Sequence, residues 1–118
     1  MHIFPIEKII DDLEALRDLQ PNWDSYGARQ ISGEIIDVAI KFVKILPVHI
    51  PPPRVVPMSQ GRLQLEWHKK SCSLELEFTT KNDISYLKWN ELTEWYSEGN
   101  GPMSEKEILE LIGWFDEN

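Results

Sequence analysis

The spacing of apolar residues changes at Val55, and this change constrains the fold more than any other feature of the chain. Before Val55, apolar residues recur every three or four positions, as on one side of an α-helix. After it, apolar and polar residues alternate, as on a strand with one buried face. The chain has 118 residues, the usual size of one domain. We therefore predict a single α+β domain over residues 1–118.

Three helices are predicted from apolar spacing and from end signals. Pro5 suits the first position of a helix, and Pro21 disfavours helix in the residue before it. Ser32 is a favourable N-cap for the second helix, and Ser104 with Glu107 forms a capping box for the third. The predicted helices span about residues 5–20, 32–46 and 104–116.

A proline-rich connector at residues 47–57 joins the second helix to a sheet predicted over about residues 55–90. Its prolines favour an extended, stiff chain that crosses from one side of the core to the other. The strands that follow are short and separated by turn residues, which favours antiparallel pairing. We expect an antiparallel β-meander of three to five strands, with the two N-terminal helices and the C-terminal helix packed on one face.

Strand alternation also predicts the register of the hairpins, because inward residues must oppose inward residues. With Lys70–Ser71 as the first turn, Glu66 is placed opposite Glu75 on the face turned to water. The alternation also places Leu87 and Trp89 toward the core, and with Asn82–Asp83 as a second two-residue turn Leu76 is paired with Trp89.

Composition limits the functions that the chain can perform. The net charge is −8, and residues 91–118 carry eight acidic and one basic side chain. Such a surface repels phosphate backbones, so we expect no direct nucleic-acid binding and, instead, a protein partner with a basic surface. Cys72 is the single cysteine, so no internal disulfide can form. With no leader or membrane-spanning pattern, the expected location is the cytoplasm.

Two groups of residues are candidates for partner binding. On the wet face of the sheet, opposed glutamates are either screened by water and lysines or form a patch that receives a basic side chain or a divalent cation. In the loop Asn22–Ala28, the side chains either hold the loop or present aromatic anchors to a partner. The candidate residues are Trp23, Asp24, Tyr26, Glu66, His68, Glu75 and Glu77. We assign no catalytic residue, metal or cofactor.

The loop NWDSYGA at residues 22–28 and the strand GRLQLEWH at residues 61–68 carry a resemblance. Together with LELE at residues 74–77, they resemble a family of small uncharacterised bacterial proteins that have an NWDxYGA loop and a GxQLEWH strand. The resemblance covers about residues 10–80. Members carry a turn rich in aspartate and glycine where this chain has Met58–Gly61. The resemblance implies a bacterial or phage origin and no assigned reaction.

Three functions remain open from the sequence. The first is a small acidic protein-interaction module, an antitoxin-like or inhibitory component of a bacterial or phage system, and not an enzyme. The second is a metal-dependent or acid–base hydrolase that uses Glu66, His68 and Glu75. The third is a partial nucleic-acid mimic built on the acidic C-terminal third. Exposed sheet edges also leave a homodimer open.

Overall fold

A computed structural model of the chain describes residues 5–118 and has three helices and five strands. The sheet is an antiparallel meander in the order β1-β2-β3-β4-β5, with two helices before it and one after it. The predicted α+β class is confirmed; residues 1–4 lie outside the described residues. The elements are α1 (Pro5–Ala15), α2 (Gly33–Val43), β1 (Arg54–Pro57), β2 (Leu63–Lys69), β3 (Cys72–Phe78), β4 (Ile84–Asn90), β5 (Trp95–Gly101) and α3 (Glu105–Glu117).

The helix starts follow their capping residues, and the first two helices end earlier than expected. Ser32 Oγ accepts the Ile35 N–H at 3.4 Å before α2, and Ser104 Oγ accepts the Glu107 N–H at 3.2 Å before α3. The first helix was predicted to reach residue 20, but α1 ends at Ala15 and a 3-10 turn covers residues 16–18. The second was predicted to reach residue 46, but α2 ends at residue 43.

All three helices pack on one face of the sheet, and the core lies between the two layers. The Phe42 ring of α2 lies 5.7 Å from the Phe78 ring of β3, and Phe115 of α3 is fully buried. The Nζ of Lys69 lies 5.1 Å from the centre of the Phe115 ring. One face of the sheet is therefore covered, and none of the helices within residues 5–118 lies over the other.

The register of the first hairpin agrees with the prediction. Leu65 is paired with Leu76, and Glu66 lies directly opposite Glu75. Because one face of these strands is a continuous apolar row, a slip by one residue would expose the whole row to water. The hydrophobic pattern, together with the Lys70–Ser71 turn, was sufficient to predict this register.

The predicted register of the second hairpin is wrong. A five-residue loop, Thr79–Asp83, replaces the expected two-residue turn, and the threonines hold it with local hydrogen bonds such as Asp83 N–H to Thr80 Oγ1 at 3.0 Å. Leu76 therefore pairs with Tyr86 rather than Trp89. The shift is an odd number of residues, so every side chain of β4 changes face.

The faces of β4 are consequently the reverse of those expected. Tyr86 and Lys88 lie on the covered face, and Leu87 and Trp89 lie on the uncovered one. The Lys88 Nζ lies 5.1 Å from the centre of the Trp114 ring, which belongs to α3. A lysine is tolerated on the covered face because aromatic rings stabilise its charge at the margin of the core.

The sheet extends beyond residue 90, where the prediction ended. β5 (Trp95–Gly101) contains two glycines and pairs with β4 along its whole length. The Tyr86 ring packs over Gly99, where a Cβ atom would lie 2.7 Å from a ring carbon. Within residues 5–118, no helix has the length and apolar character that a membrane crossing requires.

Candidate functional site

The uncovered side of the sheet, here called the outer face, carries four of the seven candidate residues. Its central row crosses all five strands, because each member is paired with the next in the ladder. The row places one arginine and one leucine among three glutamates. In order, the row is Arg54, Glu66, Glu75, Leu87 and Glu98.

Glu75 lies at the centre of this row. Its side chain is half-buried, and burial raises its pKa above the ordinary value of a glutamate. The charges of Glu66 and Glu77 raise it further, since a second negative charge nearby disfavours ionisation. Among residues 5–118, Glu77 forms an ion pair with Arg62 at 3.0 Å, whereas no ion pair within 4.0 Å includes Glu75. A cation placed beside Glu75 would therefore offset the repulsion from Glu66 and Glu77.

A second row beside the first carries His68 and two aromatic residues. His68 Nδ1 and Ser73 Oγ are joined by a hydrogen bond of 2.6 Å, and Ser73 is only 3% exposed. Ser73 is paired on its other side with Trp89, which is paired in turn with Tyr96. Trp89 is half-buried and Tyr96 is 65% exposed. The outer face therefore has an aromatic strip next to its carboxylates.

The loop Asn22–Ala28 uses its polar side chains to hold its own backbone. Asp24 Oδ1 accepts the N–H groups of Tyr26 at 2.8 Å and Ala28 at 3.0 Å. Asn22 Oδ1 accepts the Gly27 N–H at 2.7 Å. Asn22 itself has a positive φ of 68°, a conformation that asparagine tolerates better than most residues. These bonds assign Asp24 a structural role in the loop.

The aromatic residues of this loop differ in exposure. Trp23 packs against the core, and its Nε1 donates to the Arg29 carbonyl oxygen at 2.9 Å. Tyr26 is 92% exposed. Of the two predicted anchors, Tyr26 has its ring available to a partner, and Trp23 uses its indole in folding.

The loop and the centre of the outer face are separate. The chain leaving the loop is bonded to the turn between β1 and β2, with Arg29 N–H donating to Ser59 O at 2.8 Å and Ser32 N–H to Gly61 O at 2.9 Å. His68 lies at the far end of β2 from that turn. The structure therefore brings Glu66, His68, Glu75 and Glu77 together on one face and leaves Trp23, Asp24 and Tyr26 beyond one end of the sheet.

The outer face carries charged side chains and aromatic rings that can bind by ion pairing and stacking. Among residues 5–118, no group of three or more His, Cys, Asp or Glu side chains is arranged so that it could hold a metal ion. The hydrolase hypothesis therefore gains no ligand set from the described residues. Cys72 is buried on the covered face, beside the Asn90 amide.

Sequence reasoning missed part of the site. Leu87 and Trp89 were assigned to the core from the alternation in β4, and Tyr96 and Glu98 lie on a strand beyond the predicted end of the sheet at about residue 90. The alternation in β4 is ambiguous, since Ile84, Tyr86, Leu87 and Trp89 supply apolar residues to both faces. The loop at residues 79–83 decides between the two faces, through hydrogen bonds that the apolar pattern does not reveal.

Comparisons of the chain with protein-family models, with curated proteins and with solved structures find no match.

Proposed function

We propose that this chain is a protein-interaction module whose outer face binds a partner with a basic surface. The observation that carries the proposal is Glu75, a half-buried carboxylate between Glu66 and Leu87 in the central row. Burial and like charge both raise its pKa, so the ionised form is disfavoured in the isolated chain. A cation supplied by a partner relieves this repulsion on binding and forms a charge-assisted hydrogen bond.

The aromatic strip supports the same proposal. Trp89 and Tyr96 lie side by side on the outer face, and tryptophan and tyrosine are enriched where proteins bind one another. An arginine side chain can stack on such rings while its guanidinium donates to a carboxylate. We therefore favour arginine over lysine as the residue that the partner contributes.

The net charge of −8 supports a partner whose surface is positively charged. Long-range attraction between an acidic and a basic surface speeds association and is screened by salt. Binding through the outer face should consequently weaken as ionic strength rises, mainly through a slower association rate.

An NMR titration of the isotope-labelled chain with an oligo-arginine peptide tests the proposal. Amide shifts should change along the central row and the aromatic strip, and the exposed surface of α3 should change little. Since α3 is also acidic, shifts centred on Glu105, Glu107 and Glu110 would show that charge alone attracts the peptide, and the proposal would fail.

Two double variants separate the face from the overall charge. Glu66→Gln with Glu75→Gln removes two charges from the central row, and Glu34→Gln with Glu117→Gln removes two exposed charges from the helices. The first should weaken peptide binding by about 0.4–2 kcal/mol, since each exposed charge pair contributes about 0.2–1 kcal/mol. The control should change it much less. Equal effects in the two variants would contradict the proposal.

The finer form of the proposal is an antitoxin-like or inhibitory role in a bacterial or phage system. It predicts that the partner is a basic protein whose own activity falls when this chain is bound. The measurement is the activity of that protein after co-expression with the wild-type chain or with the Glu66→Gln, Glu75→Gln variant. Inhibition that is unchanged by the variant would rule out inhibition through the outer face.

A further inference from the structure

The backbone of β5 is open to pairing along one edge of the sheet. In the described sheet, β5 has β4 as its neighbour on one side and no strand on the other. One hydrogen bond shows which backbone groups face the open side. In it, the Glu91 N–H donates to Ser71 O at 2.9 Å. Glu91, just beyond β4, therefore points its backbone groups toward β3.

Successive residues of an antiparallel strand point their N–H and C=O groups to opposite neighbours. Since Glu91 points to β3, Lys88 and Tyr86 point to β5, where they are paired with Ser97 and Gly99. The residues of β5 on either side of Ser97 and Gly99 point their N–H and C=O groups away from the sheet. The open edge of β5 thus presents the backbone N–H and C=O groups of Tyr96, Glu98 and Asn100.

The opposite edge of the sheet is closed by proline. The Met58 N–H donates to Arg62 O at 2.9 Å, so by the same alternation Pro53, Val55 and Pro57 face outward at β1. Proline has no N–H, which leaves Val55 as the single outward donor of these three. Prolines commonly protect an edge from pairing; β5 has none among its seven residues, and Pro102 follows directly after it.

The charge near β5 indicates which kind of strand fits the open edge. Between Lys88 and Lys106 the chain carries four glutamates and no lysine or arginine. The side chains of the outward-pointing residues also lie on the outer face, so an added strand would continue the central row beyond Glu98. A second copy of this chain brings a further charge of −8 to the same edge and is repelled.

We propose that β5 receives an extended, basic segment of a partner protein as a sixth strand of the sheet. This inference rests on the proposed function and states how the partner is held. Main-chain hydrogen bonds to Tyr96, Glu98 and Asn100 supply the attachment, and basic side chains at alternate positions lie beside Glu98 on the outer face.

Amide hydrogen exchange tests the pairing without any substitution. The probe is a peptide of alternating lysine and threonine, and the control is a peptide of alternating glutamate and threonine. In the isolated chain, the amides of Ser97 and Gly99 should exchange slowly and those of Tyr96, Glu98 and Asn100 rapidly. The lysine peptide should slow exchange at those three outward amides, and the glutamate peptide should not.

A matched pair of variants separates the backbone donor from the charge. Glu98→Ala and Glu98→Pro remove the same carboxylate, but only the second removes the outward N–H, and neither removes a bond to β4. The alanine variant should bind the lysine peptide about two- to tenfold more tightly than the proline variant, the effect of about one hydrogen bond. Slow exchange at Ser97 and Gly99 in both variants verifies that the sheet is intact.

Three results would overturn the inference: no protection of the outward amides, equal binding by the two Glu98 variants, or protection in the isolated chain together with the mass of a dimer. The last result would make a second copy the occupant. If oligo-arginine perturbs the central row while the β5 amides stay unprotected, the edge inference fails and the proposed function stands. If the Glu66 and Glu75 substitutions leave oligo-arginine binding unchanged while β5 is protected by the lysine peptide, the proposed function fails instead.

Discussion

Replacing Asp24 with alanine should destabilise the chain through its loop and should do so independently of any partner. Asp24 Oδ1 accepts two backbone N–H groups, at 2.8 Å from Tyr26 and 3.0 Å from Ala28, and Ala28 is buried. A hydrogen bond to a charged group contributes about 1.5–3 kcal/mol, and the lower end applies because the loop is at the surface. For two such bonds we therefore expect Asp24→Ala to lower the free energy of unfolding by about 3 kcal/mol.

Two further variants make this expectation specific. Asp24→Asn keeps an acceptor oxygen in the same place and loses the charge, so it should cost about 1 kcal/mol. Tyr26→Ala removes a ring that is 92% exposed and should change stability by less than about 0.5 kcal/mol.

Urea unfolding followed by tryptophan fluorescence measures all three, and a thermal melt should show a shift of roughly 4 °C per kcal/mol for a chain of this length. If Asp24→Ala unfolds within about 0.5 kcal/mol of the wild type, the assignment of a structural role to Asp24 is refuted. A loss of partner binding at unchanged stability would instead indicate that Asp24 contacts the partner.

Two further predictions concern charge and backbone conformation. Because the pKa of Glu75 is raised in the folded state, its ionisation opposes folding at neutral pH, and Glu75→Gln should stabilise the chain by about 0.2–1 kcal/mol in urea unfolding at pH 7. The stabilisation should disappear below the ordinary pKa of a glutamate, where Glu75 is protonated in both the folded and the unfolded state; a gain that persists in acid would contradict its electrostatic origin. Gly61 has a φ of +85°, and a Cβ there would lie 2.9 Å from the Gln30 carbonyl oxygen, so Gly61→Ala should cost about 2 kcal/mol or more. Gly27, with a φ of +86° and nothing within 4 Å of an added Cβ, is the matched control, and Gly27→Ala should cost about 1 kcal/mol; equal losses would show that the contact with Gln30 is unimportant.

The elements that the sequence predicts well are those with purely local causes. Ser32 and Ser104 cap their helices as expected because an N-cap needs only its own hydroxyl and the N–H groups of the next turn. The ends of α1 and α2 were less well predicted. Apolar residues keep their helical spacing beyond both ends, although the backbone there forms turns.

Part of the candidate site was predicted correctly from the sequence. Glu66 lies opposite Glu75 because the buried face and the Lys70–Ser71 turn together set the register of β2 against β3. The aromatic half of the outer face was missed because β4 has apolar residues on both sides, so its pattern fits two registers. The loop between β3 and β4 selects one of them through hydrogen bonds made by Thr79 and Thr80.

By itself, the sequence determined the α+β class, the helix starts, the first hairpin and the acidic character of the chain. The tertiary structure decided which face of β4 is buried, that β5 completes the sheet, and that the NWDSYGA loop lies beyond one end of the outer face. The physical reason is the range of the interactions involved. Caps and single-face strands depend on neighbours in sequence, whereas the register of β4 and the pairing of glycine-containing β5 depend on residues that meet only when the sheet forms.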